Sequence, residues 1–192
     1  MCRDYLALEK FLKKFPYYMN YRDLVALEMS TVYTACNTKR PPLRIAFIGA
    51  GPLPMSPIAI AQFLARKNPP LNAATGKQSK WSTLKTLFDK KGEHKPGAHV
   101  HCIDRDPEAV EAAKKVVEKL GKIADYISFE CAEAEEVTDL KQFDVVFMAS
   151  LVGESQDEKN GIIRGIVKRM EEGAVLCVRS AHGLRTILYP VS

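Results

Sequence analysis

A short glycine turn is the first place in this chain where residue types and spacing suggest chemistry. Residues 45–48 form an apolar, β-rich run, and a helical pattern covers residues 56–66; between them stands the turn Gly49-Ala50-Gly51-Pro52. Glycine between a strand and a helix lets the backbone come close to a ligand at the carboxyl end of a sheet. Position 54 is proline where a dinucleotide fingerprint has its third glycine, which counts against NAD. The turn alone is weak evidence, because tight strand-to-helix turns use glycine in any case.

Two acidic residues stand at the ends of the next two predicted strands. Asp104 could accept both hydroxyls of a ribose, and the alternative role of helix cap is already filled by Asp106. Glu133 could accept a hydrogen bond from an adenine amino group, or it could be one more solvated acid among residues 133–136. An adenosine placed beside the glycine turn would therefore meet a carboxylate at its sugar and a second one near its base.

The segment after the fourth predicted strand would complete such a pocket. Residues 149–153 would line the methionine side of the ligand, with Ala149 and Leu151 in contact. Together with the glycine turn and Asp104, these residues suit S-adenosylmethionine (SAM) better than any one of them does alone. The sequence thus predicts that SAM is bound as substrate at the carboxyl edge of the sheet, without a metal.

The elements that must position these residues alternate along the chain. Five apolar runs predict buried strands at residues 43–48, 100–104, 127–131, 143–149 and 175–179, separated by helices at 56–66, 106–121 and 159–170. Strands that alternate with helices are typical of a parallel sheet covered on both faces. The predicted fold class is α/β, a Rossmann-like sheet of the SAM-dependent methyltransferase type.

The sheet is preceded by a predicted N-terminal helical segment over residues 1–40, and residues 41–192 are predicted to form the SAM-binding domain. Within the first segment a helix over residues 20–36 is expected to start at Asn20 and to turn Leu24, Leu27 and Val32 inward. Residues 65–97, rich in lysine, proline and glycine, are predicted to form a basic surface insertion.

Composition excludes several classes of protein. Hydrophobic residues make up 46% and charged residues 27%, which is typical of a soluble globular chain, and no apolar run has the length of a membrane span. The net charge of +5 is concentrated in the lysine-rich residues 65–97, so neither a nucleic-acid nor a membrane partner is expected. Five widely spaced cysteines without a C-x-x-C pair favour reduced thiols and a cytoplasmic location. The oligomeric state is not predicted.

Four longer blocks of sequence resemble one known family. Residues 15–21 (Phe-Pro-Tyr-Tyr-Met-Asn-Tyr), 48–54, 143–153 and 179–190 are similar to the corresponding blocks of nicotianamine synthases. The resemblance implies an enzyme that transfers 3-amino-3-carboxypropyl groups of SAM to an amine, releases methylthioadenosine and so makes nicotianamine, a metal chelator. The attacking amine must first lose a proton, because free amino groups are mostly protonated at neutral pH.

The resemblance also implies roles for residues near that amine. Tyr21 matches a tyrosine that the family uses there, as an orienting group or proton relay, although it could instead be an aromatic packing residue, as is expected of Tyr17 and Tyr18. Glu28 lies two helical turns further along the same face and could bind the ammonium, assist the base or be a surface acid.

Three further residues near the carboxyl terminus are candidates for the substrate. Arg179 and Arg185 could hold substrate carboxylates through their planar guanidinium groups. His182 could relay a proton, or it could simply bond the backbone near the fifth strand.

The chain differs from the family at both ends. It lacks the longer helical region that precedes the Phe-Pro-Tyr-Tyr block and carries an acid expected to act on the amine, and it ends soon after Tyr189 and Pro190. The expectation is therefore a shortened chain. Two other functions stay open on the same fold: a SAM-dependent small-molecule methyltransferase, and a SAM-binding homologue without catalytic activity.

Overall fold

The computed structural model describes residues 12, 14, 17–35, 44–67, 98–149, 152–153 and 155–179. Within these residues lie five strands: β1 (Arg44–Ile48), β2 (His99–Asp104), β3 (Ile127–Cys131), β4 (Val145–Met148) and β5 (Val175–Val178). The described helices are α1 (Tyr18–Ala35), α2 (Met55–Lys67), α3 (Pro107–Val117) and α4 (Gln156–Arg169), and a 3-10 segment (Glu118–Tyr126) follows α3. None of these helices is both long and apolar enough to cross a membrane.

The five strands form a single parallel sheet in the order β3-β2-β1-β4-β5. The predicted α/β class is confirmed, and each predicted strand is found within two residues of its expected bounds. The strand order changes direction at β1, which lies between β2 and β4. In open sheets of this kind a ligand binds beyond the carboxyl ends of the strands at that point. The glycine turn directly follows β1 and therefore occupies this position.

Two apolar layers cover the sheet. On one face α1 and α2 pack against β1 and β4, with Val25, Met29, Ile58, Phe47 and Phe147 in the same cluster. On the other face α4 packs on the opposite sides of β1 and β4. The N-terminal helix α1 thus shares one core with the sheet. The division into a helical segment and a SAM-binding domain stays a prediction.

Helix α1 differs from its sequence prediction in two respects. It begins at Tyr18, so that Asn20 lies inside the helix and is not its N-cap. Leu27 is 67% exposed, whereas Val25, Met29 and the correctly predicted Val32 are buried. Apolar residues occur on more than one side of this helix, and for that reason spacing alone did not identify the buried face.

Helices α3 and α4 begin at capping residues, but α3 ends at Val117 rather than at the predicted Gly121, and the 3-10 segment continues from there to Tyr126. Asp106 is the N-cap of α3, as predicted, and its side chain accepts a hydrogen bond from the backbone N–H of Glu108. Helix α4 begins three residues before its predicted start, because the side chain of Ser155 caps it in the same way. Residues 65–67 belong to α2, in which a helix to residue 66 was also predicted, and residues 68–97 of the predicted basic insertion lie outside the described residues.

Candidate functional site

The glycine turn is bound to the tip of the neighbouring strand. The backbone N–H of Gly49 donates to the carbonyl oxygen of Ile103 at 2.8 Å, and that of Ala50 donates to the same oxygen at 3.3 Å. Gly49 and Gly51 have φ angles of +79° and +67°, in the left-handed region that favours glycine. The turn is therefore held rigidly at the carboxyl end of β2.

The two glycines of the turn have different surroundings. A Cβ atom on Gly49 would lie 2.6 Å from Cγ2 of Val152 and 3.1 Å from Cβ of Ala149, in the segment that follows β4. A Cβ atom on Gly51 would meet nothing within 4 Å. Gly49 is thus required for packing inside the protein, whereas Gly51 borders open space that a ligand can use.

Asp104 closes the turn from the other side. Its Oδ2 accepts a hydrogen bond from the backbone N–H of Gly51 at 2.7 Å, and its Oδ1 accepts one from the N–H of Asp106 at 3.1 Å. A carboxylate has about four acceptor positions, so about two remain for a ligand. The carboxylate predicted to bind a ribose is accordingly fixed beside the open space at Gly51.

The structure shows no hydrogen bond that joins the remaining described residues predicted to contact SAM to Asp104 or Gly51. Pro52 is exposed at the turn, and Ala149 lies just beyond β4, where its N–H donates to the carbonyl oxygen of Ile48 at 2.9 Å. Glu133 is exposed after β3, and both of its suggested roles stay open. Leu151 lies outside the described residues.

Arg179 and Glu28 form a largely buried ion pair at the same edge of the sheet. Arg179 follows β5, and its Nε and Nη2 donate to the two carboxylate oxygens of Glu28 at 2.8 and 2.7 Å. Its Nη1 donates to Oγ of Ser56 in the first turn of α2 at 2.6 Å. The side chains of Arg179 and Glu28 are only 15% and 11% exposed. From the sequence, Arg179 was a candidate for a substrate carboxylate, and Glu28 could bind the ammonium, assist the base or be a surface acid; the structure instead pairs the two with each other.

Two aromatic rings support this ion pair. The guanidinium carbon of Arg179 lies 5.2 Å from the ring centre of Phe47 and 5.9 Å from that of Phe147, and the two rings stack on each other. Cations are attracted to the faces of aromatic rings at such distances. Phe47, Phe147 and Ser56 were not predicted from the sequence as partners of Arg179, because they belong to the apolar strands β1 and β4 and to the start of α2.

The three tyrosines before the sheet have different environments. Tyr18 is buried, as expected of a packing residue, and its hydroxyl donates to Oε1 of Gln62 at 2.8 Å. Tyr17 is 75% exposed, so its predicted packing role is wrong. Tyr21 is 36% exposed on α1, which leaves its side chain accessible to a ligand.

Other chemically reactive groups near the site are few among the described residues. Burial, reinforced by the negative charge of Glu28 and only partly offset by Arg179, raises the pKa of the Cys177 thiol to about 11. This thiol is therefore protonated at neutral pH and unsuited to act as a nucleophile. His182 and Arg185 lie outside the described residues. No cluster of three or more potential metal-ligating side chains occurs in the part of the chain that the structure describes.

A nicotianamine synthase family model and two curated nicotianamine synthases match this chain. The family model "Nicotianamine synthase protein" matches residues 7–192. Nicotianamine synthase 3 of Arabidopsis thaliana is 36% identical over 181 residues, which are 94% of this chain and 47% of that protein. Nicotianamine synthase 3 of Oryza sativa subsp. indica is 33% identical over 189 residues, 98% of this chain and 45% of that protein. The chain thus spans about half the length of the curated relatives it matches.

Solved structures share the fold. A crystal structure of MtNAS in complex with MTA and tNA has a TM-score of 0.58 and 25% identity, covering 100% of this chain and 58% of that chain. A mutant of MtNAS in complex with S-adenosylmethionine has a TM-score of 0.63 and 23% identity, covering 96% of this chain and 55% of that chain. The CcbJ methyltransferase of Streptomyces caelestis has a TM-score of 0.52 at 13% identity, covering 86% of this chain and 53% of that chain. The predicted methyltransferase-type fold is confirmed.

Proposed function

This chain belongs to the nicotianamine synthase family, and from that premise we propose that it binds SAM and acts in the transfer of 3-amino-3-carboxypropyl groups to an amine. The observation that carries the proposal is the bond between Asp104 and Gly51, because it fixes a carboxylate beside open space at the point where the strand order reverses. The solved relative that holds MTA and tNA supports the same chemistry.

In the proposed reaction the lone pair of the amine attacks the carbon of the 3-amino-3-carboxypropyl chain that is bonded to the sulfur of SAM, and not the methyl carbon. A new C–N bond forms, the C–S bond breaks, and its electron pair stays on sulfur, which neutralises the sulfonium and releases methylthioadenosine. The proton of the amine must pass to a base. We assign Asp104 to the ribose, Glu133 to the adenine, and Pro52, Ala149 and Leu151 to the walls of the pocket.

The amine side of the proposal involves residues from both ends of the chain. Tyr21 orients the amine or relays its proton, and His182 is a second candidate for that relay. Arg185 is proposed to hold a carboxylate. Direct roles for Glu28 and Arg179 require that substrate opens their ion pair, since each charge is already neutralised by the other. The product would be a metal chelator made in the cytoplasm from SAM alone, without nucleic acid, membrane or metal.

The described residues support SAM binding more fully than the transfer step, because His182 and Arg185 lie outside them. Binding of SAM without transfer is therefore the second candidate. Incubation of the protein with SAM alone, followed by mass analysis of the products, decides between them. Methylthioadenosine together with a joined product supports the proposal, whereas S-adenosylhomocysteine would indicate a methyltransferase. Binding seen by calorimetry without any product would support the second candidate.

Replacement of Asp104 by alanine is expected to weaken SAM binding by about one to two orders of magnitude. The loss of charged hydrogen bonds to the ribose costs about 1.5–3 kcal/mol, and the Gly51 N–H loses its acceptor as well. Isothermal calorimetry with SAM measures the change. Asp106→Ala is the matched control: it removes the N-cap of α3 and lowers stability by about 1 kcal/mol, yet it should leave SAM affinity unchanged. An unaltered affinity in Asp104→Ala would remove Asp104 from the site.

Replacement of Tyr21 by phenylalanine is expected to slow product formation on the order of a hundredfold, as for loss of a proton-transfer group, while SAM affinity stays the same. The hydroxyl acts on the amine and not on the adenosine, which is why the two effects separate. Single-turnover rates and calorimetry are the measurements. Tyr17→Phe, on an exposed tyrosine just before α1, is the control. If Tyr21→Phe has the turnover of the unaltered protein, Tyr21 is a packing residue.

A further inference from the structure

We propose that two polar contacts of helix α1, one buried and one largely buried, which lie on either side of Tyr21 in sequence, position that tyrosine relative to the glycine turn. The first is the hydrogen bond between Tyr18 and Gln62, and the second is the cluster of Glu28, Arg179 and Ser56. The proposal rests on the proposed function for the role of Tyr21 in the reaction. It assigns Gln62, Ser56 and the ion pair as positioning residues.

The Tyr18–Gln62 bond connects α1 to α2 near the start of α1. The hydroxyl of Tyr18 donates to Oε1 of Gln62 at 2.8 Å, and both side chains are almost completely buried. Among the described residues, Nε2 of Gln62 has no hydrogen-bond partner. A buried amide nitrogen without a partner costs free energy that an apolar residue of the same size would not. Gln62 is therefore a poor choice for packing alone and is better explained by the directional bond that it makes to Tyr18.

The Glu28 cluster joins α1 to the end of β5 and, through Arg179, to the start of α2. Arg179 at the end of β5 bonds both oxygens of Glu28, and its remaining terminal nitrogen bonds Ser56 at the start of α2. A bidentate pair of this kind adds geometric specificity, because both N–H groups must meet their oxygens at once. The net stabilisation from a buried ion pair is often small, so orientation is its clearer contribution.

Together the two contacts set the register of α1 along α2. Tyr18 and Glu28 are ten residues apart, about 15 Å along the helix, and Tyr21 lies between them. The apolar contacts of α1 through Val25, Met29 and Val32 are non-directional and would tolerate a small slide. The Tyr18 contact reaches α2 directly and that of Glu28 reaches it through Arg179; α2 is the helix that begins just after the glycine turn. A slide of α1 would break both contacts and carry Tyr21, which lies between them on the helix, along with it.

A fluorine probe on Tyr21 tests this positioning without requiring any activity. 3-Fluorotyrosine is introduced at position 21 alone, and its 19F resonance is compared between variants of the full chain. Gln62→Leu removes the first contact, and Glu28→Gln removes the charge and one of the two acceptor oxygens of the second. Glu111→Gln is the matched control, since it removes the exposed pair with Lys115 at 3.7 Å on α3. We expect the first two variants to shift or broaden the resonance and the control to leave it unchanged.

Kinetics then separates positioning from direct contact with substrate. Glu28→Gln should lower kcat by on the order of ten- to a hundredfold, as small displacements of a catalytic group do, with the Kd for SAM unchanged. In the Tyr21→Phe background, Glu28→Gln should lower kcat by less than about twofold, because the effects of two coupled residues do not add. If the losses in kcat from Glu28→Gln and Tyr21→Phe add, the proposal is overturned. A raised Kd for SAM with an unchanged fluorine resonance would also overturn it and would indicate that Glu28 binds substrate directly. If no product forms with any variant, the fluorine resonance still decides the positioning, and only the proposed function fails.

Discussion

Replacement of Arg179 by methionine is expected to lower the free energy of unfolding by up to about 3–5 kcal/mol, the usual cost when one partner of a buried ion pair is removed. Methionine fills most of the volume of the side chain, but the carboxylate of Glu28 is left buried at 11% exposure with neither N–H donor. The favourable contact of the guanidinium with Phe47 and Phe147 is also lost. Urea unfolding followed by circular dichroism, with linear extrapolation to water, measures the difference.

Two further variants identify the cause of that loss. The double variant Glu28→Gln with Arg179→Met carries no buried charge and should be more stable than Arg179→Met alone, since replacing both partners of such a pair is often close to neutral. Lys115→Met breaks the exposed pair with Glu111 and should change stability by less than about 0.5 kcal/mol. If the free energy of unfolding of Arg179→Met lies within about 1 kcal/mol of that of the unaltered protein, the carboxylate of Glu28 must reach solvent or another donor in the variant.

The sheet was predictable because each strand is a short apolar run bounded by turn residues or charges. Strands β1 and β4 are buried on both faces and contain almost no polar residue, which is the pattern of central parallel strands. Helix α1 was harder, because Leu24 and Leu27 are as apolar as Val25 and Met29. Only the position of the sheet beneath the helix decides which of these residues become buried.

The part of the candidate site that lies directly after the strands could be predicted from the sequence. The glycine turn and Asp104 both follow strands, and parallel strands end at one edge, so their proximity could be inferred. The pairing of Glu28 with Arg179 could not, since 151 positions separate the two residues. From the sequence each was a single charge without an identified protein partner: substrate was the candidate partner of Arg179, and it was one of the roles left open for Glu28. The polar residues Ser56 and Gln62 in the otherwise apolar first part of α2 were the available signal, because a polar residue on a buried face needs a bonding partner.

Replacement of Gly49 by alanine is expected to destabilise the protein by about 2–5 kcal/mol, the sum of a backbone and a packing cost. Left-handed backbone at φ +79° costs a residue with a side chain about 1–2 kcal/mol. The new Cβ would also lie 2.6 Å from Cγ2 of Val152, and such overpacking adds about 1–3 kcal/mol. Thermal or urea unfolding measures the loss.

Gly51→Ala is the matched substitution in the same turn, and the contrast between the two variants is informative. Its backbone strain at φ +67° is similar, about 1–2 kcal/mol, but its Cβ meets no protein atom within 4 Å. Stability should therefore fall less than in Gly49→Ala. If SAM occupies the open space beside Asp104, the added methyl group projects into it, and SAM affinity should fall by about tenfold or more, which is about 1.4 kcal/mol or above. Unchanged SAM affinity in a folded Gly51→Ala protein would mean that the ligand does not approach this turn, and the proposed site would have to lie elsewhere.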